Sequence, residues 1–185
     1  MNITLTWDLF IIVFFAIVIT YSFIIGRLES VKIIIASYIA IVAVQGIGNI
    51  LQRVLGSSAS VLKVLGITLN IELISVTKLV LFVIILIALA IWSGAEVTYE
   101  KEPGFAVHAI LTALFGFTTA GLLVSTLVTY AAGVPLLDQN LPNVSALSPM
   151  IQQSQLMQLM ILNQDLWFSL PALLLLAAGF MGNRK

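Results

Sequence analysis

Cysteine is absent from the 185 residues. That excludes a disulfide framework, a thiolate metal site and a cysteine nucleophile. Charge is scarce as well. Only 9% of residues are Asp, Glu, Lys or Arg, against about 25% in ordinary soluble domains. Eight bases cancel eight acids, so the chain offers no basic patch to nucleic acid. The one histidine, His108, has no carboxylate at ligand spacing, and one imidazole cannot build a metal site. HExxH, GxSxG and a Gly-rich phosphate loop are missing too, and Gly46-Ile47-Gly48 lies inside an apolar run, not after a strand. No apolar run contains two carboxylates, which removes an intramembrane aspartyl protease. The expectation is a protein that is not an enzyme and needs no cofactor. The start, "MNITLTWDLF", lacks the basic region of a cleaved signal, so the first apolar segment is expected to be retained.

What the sequence has is apolar length. Hydrophobic residues make up 61% of the chain, and the mean hydropathy is +1.14. A chain of this size has too much surface to hide that material in one aqueous core, so its solvent must be lipid. A helix crosses the roughly 30 Å hydrocarbon layer with about 20 apolar residues. Four stretches qualify or nearly so: 9–26, 33–51, 79–94 and 105–133. A fifth, 166–181, is marginal and carries Pro171 in its first turns; it can span, re-enter or rest at the interface. Nothing alternates as the strands of a membrane barrel would. The fold class expected is all-α: a single transmembrane domain over 1–185, with four spans and a short C-terminal apolar helix. Ser148-Pro149 reads as the cap and first position of a further short helix.

The sparse charges set the topology. Arg27, Glu29 and Lys32 interrupt the first two runs and read as a water-exposed turn. Glu72 and Lys78 precede the third run, marking its boundary. Bases favour the cytoplasmic side. Placing Arg27 and Lys32 inside puts Lys101, Arg184 and Lys185 there too, with Arg53, Lys63 and Lys78 outside. The N-terminus is then external. Trp7, Trp92, Tyr99 and Trp167 fall near run ends, where aromatic belts sit. Asp8, before the first run, suits a helix N-terminus.

Two polar stripes stand out at 100° per residue. Tyr38, Gln45, Asn49 and Gln52 share one side of the second run; His108, Thr112, Gly116, Thr119, Thr126 and Tyr130 share one side of the fourth. In lipid, such residues hold helices together and let backbones approach. They fit either a packing seam between these two spans, with Gly116 at the contact, or a path for a small solute. No charge lies deep in either stripe, which speaks against ion coupling. The third run, "LVLFVIILIALAIW", has nothing polar before its tryptophan and is expected to face lipid.

The stretch "WDLFIIVFFAIVITYSFIIGRLESVKIIIASYIAIVAV" resembles the start of the colicin V production protein family: an early acid (Asp8), an apolar span, Gly26-Arg27 with Glu29 close behind, then a second span. "PGFAVHAILTALFGFTTAGLLVSTLVTY" is similar to that family's later glycine-bearing span, and "SALSPMIQQSQ" to the Ser/Pro segment after it. The resemblance implies a bacterial inner-membrane protein linked to toxin export and envelope homeostasis. It makes Arg27, Glu29 and Lys32 a candidate cytoplasmic patch, facing Glu96, Glu100 and Glu102 of the third loop. Two other classes stay open: a small oligomeric channel or transporter lined by the stripes, and a subunit of a larger membrane complex. The partners expected are the lipid bilayer and other membrane proteins or copies of itself.

Overall fold

A computed structural model describes residues 6–57, 71–92, 105–134, 136–137 and 149–182. They contain helices and no strand. The helices are α1 (Trp7–Ser57), α2 (Ile71–Trp92), α3 (Phe105–Ala132), α4 (Pro149–Gln152), α5 (Gln155–Leu162) and α6 (Gln164–Gly182). Helices are what lipid demands, since every backbone group must find its partner within the chain. Pro149 opens α4, where its missing N–H costs nothing.

The expected exposed turn at 27–32 is not a loop. The chain stays helical through it and breaks at one residue, Gly26, with φ 82° and ψ 174°. Only glycine adopts that backbone cheaply. The break is sharp: Ser22 and Ser30 bring their hydroxyl oxygens within 2.5 Å, whereas eight residues of straight helix advance about 12 Å. Ser30 Oγ also donates to the Gly26 carbonyl, at 2.9 Å. α1 is thus two limbs, and Val18 of the first and Ile33 of the second line one small cavity with Gly116 of α3. The surroundings of the charges differ from those of a solvated turn. Lys32 pairs with Glu29 at 2.7 Å on the outside, while Arg27 is only 8% exposed. The third-loop acids lie outside the described residues.

α3 is the hub. It packs most extensively on α1, and also on α2, α5 and α6. Around it lie three clusters of buried side chains. One gathers Ile11, Val124, Val128 and Trp167 with Met157 and Ile161 of α5. A second joins Ala40, Ile41 and Val44 of the second limb to Leu122, Phe82 and Phe168. The third seats Phe115 against Val31, Ile34 and Ala178. α2 is the opposite case, with Val80, Ile84, Ile87 and Ile91 all exposed, as its apolar run from 79 implies. It starts at Ile71, earlier than the apolar run from 79, and so takes in Lys78. A lysine near a helix end is tolerated because its long stem lies on apolar surface while the ammonium reaches polar surroundings.

Among the described residues, three helices are long and apolar enough to cross a membrane: Trp7–Leu51, Ile74–Trp92 and Ala106–Ala132. A fourth is available if Gln155–Leu162 and Gln164–Phe180, bent by 67°, form one span. The described residues are therefore those of a helical protein of the multi-pass membrane type. Pro171 does not end the last helix but sits inside α6; the bend falls earlier, at Asn163 between α5 and α6.

Candidate functional site: a polar-edged cavity between α1, α2 and α3

The C-terminal end of the second limb of α1, the start of α2 and the end of α3 enclose a half-open cavity of about 740 Å³. That lies within the roughly 300–1,000 Å³ of small-molecule sites. Its walls are largely apolar, with Ile41, Ile74, Leu136 and Phe168 among them. Its polar groups come from Tyr38, Gln45, Asn49, Ser75, Lys78 and Tyr130. Four of these belong to the two stripes. Lys78 and Phe168, which stripe reasoning does not reach, complete the lining.

The position of each group follows from local structure. Tyr38, Gln45 and Asn49 recur on one side of the second limb because seven and four residues are close to whole helical turns. Tyr38 Oη donates to the Phe168 carbonyl at 2.5 Å, in the turn just ahead of Pro171. That bond fastens the second limb of α1 to α6. Lys78 crosses onto the second limb over Gly48, where an added Cβ would run into Lys78 Cε. Among the described residues no carboxylate pairs with its ammonium. Tyr130 is 2% exposed, and its ring meets Phe82 edge-on at 5.9 Å. Its hydroxyl is buried and has no hydrogen-bond partner among the described residues.

The remaining stripe residues do other things. Thr112, Thr119 and Thr126 are buried, but each hydroxyl donates to the carbonyl four residues back in its own helix, at 2.8, 2.6 and 2.7 Å. This habit of threonine satisfies it without a neighbour, so these three do not bridge helices through their side chains. Gly116 is a close contact, but with the first limb: an added Cβ would lie 2.8 Å from Ser22 Cβ and 3.1 Å from Ile19 Cα. The expected contact was with the second limb. Ser22 is short enough to fit there, and its hydroxyl donates to the Thr112 carbonyl at 3.2 Å. His108 is exposed in the first turn of α3. The Gln52 side chain lies outside the described residues.

Other polar residues make the bonds between helices. Ser125 Oγ donates to the Met160 carbonyl at 3.1 Å. Gln164 donates to Thr129 Oγ1 at 3.1 Å and accepts from the Leu137 N–H at 2.9 Å, tying α6 to the end of α3 beside the cavity. Asp8 serves α5 as well as its own helix. It accepts from Ser154 Oγ at 2.5 Å and from the Leu156 N–H at 3.1 Å, while Ser154 accepts from the Met157 N–H at 3.0 Å. A carboxylate and a serine thus share the orphan donors of one helix start. Trp167 is not at an aromatic belt. It is buried against Gly121, meets the Phe15 ring edge-on and packs at a tilt on Phe117. Trp7 and Trp92 do stand exposed at helix ends; Tyr99 lies outside the described residues. No group of three or more possible metal ligands occurs among the described residues.

No family model, curated protein or solved structure matches the chain.

Proposed function

We propose that this is a non-enzymatic multi-pass protein of the bacterial inner membrane that takes up a small solute in the cavity between α1, α2 and α3, as a channel or transporter. The observation that carries the reading is a half-open chamber of ligand size lined by Tyr38, Gln45 and Asn49 of the second-run stripe together with Tyr130 of α3. In lipid, polar side chains that line a cavity mark binding surfaces and pathways. In this reading the limbs of α1 form a hairpin of two spans with its N-terminus outside, α2 and α3 are the next two, and α5–α6 is a bent fifth. The sequence resemblance to colicin V production proteins adds a setting, envelope homeostasis or toxin export, and leaves room for work within a larger complex.

The test is uptake into proteoliposomes of glycerol, phosphate, choline and dodecanoate, by the native chain and by Gln45→Trp, which narrows the chamber. The reading expects at least one solute to enter above the rate of empty liposomes and to be blocked by the tryptophan. No uptake of any of the four would overturn it.

A further inference from the structure

We infer that the cavity is a site for an anionic amphiphile: an alkyl chain among the apolar walls, with a carboxylate or phosphate on Lys78. The inference rests on the solute-binding reading above and names the class of ligand. Three observations carry it. First, among the described residues Lys78 is the one charged residue lining the chamber, and no carboxylate neutralises it. An ammonium at the edge of an apolar chamber attracts an anion more strongly than in bulk water, because the local dielectric is lower. Gly48 keeps the second limb clear beneath it, so the lysine stem lies flat and its charge stays at the chamber. Second, the apolar walls include Ile41, Ile74, Leu136 and Phe168, which suit a hydrocarbon and not a hydrated ion. Tyr38 and Asn49, the extremes of the lining on α1, are eleven residues apart, or about 16 Å of helix. At about 1.3 Å of advance per carbon, from the ~1.5 Å C–C bond, that matches a chain of about twelve carbons. Third, Tyr130 lines the chamber, and its buried hydroxyl has no partner among the described residues. A buried hydroxyl left unbonded is costly, and a small shift of the ring would bring it to an oxygen of an anionic head.

Such a head arrives either on a lipid moving in from the bilayer or on a soluble amphiphile from water. The experiment is a titration followed by native mass spectrometry of the whole protein released from a neutral maltoside detergent. Lysophosphatidylglycerol stands for the lipid source and dodecanoate for the aqueous one. Dodecanol and dodecyltrimethylammonium control for the tail and the charge. At least one anion should bind at least about tenfold more tightly than either control, the size expected of one charge-assisted contact, and the tighter anion identifies the source. Lys78→Gln should remove that preference, Lys78→Arg should keep it, and Lys78→Glu should shift it toward the cation. Gly48→Ala, which displaces the lysine without removing its charge, should weaken anion binding, as should Tyr130→Phe. Equal binding of all four probes, blocked by Gln45→Trp, would overturn the anion assignment and leave the chamber as a site. No binding of any probe would overturn both.

Discussion

α2 and α3 are both long apolar helices, yet they live in different surroundings. Of the apolar stretch of α2, 6% is buried, against 56% for α3. The buried helix is the one with more polar and small residues: Thr112, Gly116, Thr118, Thr119, Gly121, Ser125, Thr126 and Thr129 all lie in its buried part. In water the apolar helix would be the core. In lipid, hydrocarbon surrounds the molecule and gives no reason for apolar side chains to gather inside, so close backbone packing and hydrogen bonds select the interior helix. Between these two helices, burial tracks side-chain size and polarity, not hydrophobicity.

The substitution expected to break that contrast most is Gly121→Leu. Any side chain at this position of α3 runs into the buried Trp167 ring. Overpacking on this scale costs about 1–3 kcal/mol or more, and the variant should show a large drop in thermal midpoint in detergent. Gly116→Leu comes next, because a side chain there meets the backbone of the first limb at Ile19. It should also destabilise, by somewhat less, since the Ser22 side chain can move while the Ile19 backbone resists. Arg27→Ala and Glu29→Ala sharpen the comparison within one short stretch. Arg27 is buried, and losing it should lower protein level and thermal midpoint; Glu29 carries only an exposed pair with Lys32, worth about 0–1 kcal/mol. A larger effect at Glu29 would return the pair to the role of an exposed patch. Gln164→Ala removes two bonds that tie α6 to the cavity rim, at about 0.6–2 kcal/mol each, and should be read by the same melts. The smallest effect belongs to α2: Ile84→Ala, on its exposed face, should change stability by under about 0.5 kcal/mol.

Much of the architecture was legible from composition and period. Long apolar runs gave the helices, and the lack of polar groups in 79–91 gave the exposed face of α2. The four cavity residues Tyr38, Gln45, Asn49 and Tyr130 were on the stripes, because helical spacing alone aligns them. What failed was reading charge as exposure. Arg27 followed a glycine in a charged cluster and looked like a turn, but a single left-handed residue at Gly26 suffices to bend the chain without a loop. Lys78 was assigned to a boundary, since nothing local says that a helix begins seven residues before it. Contacts distant in sequence, such as Asp8 with Ser154, Trp167 with Gly121 and Gln164 with Thr129, leave no periodic trace. The threonines misled for a related reason: their hydroxyls find acceptors in their own helix, so a polar stripe does not by itself mean bonds to a neighbour.

The most direct test of the account uses the absence of native cysteine. Gln45→Cys, on the cavity wall, and Ile84→Cys, on the outer face of α2, are compared in open membrane fragments for their rate of reaction with a charged thiosulfonate reagent. The account predicts rapid labelling at position 45, slowed by the anion that the binding titration selects, and little labelling at position 84. Equal inertness at the two positions would contradict it, because the chamber would then be closed to water and to any charged head.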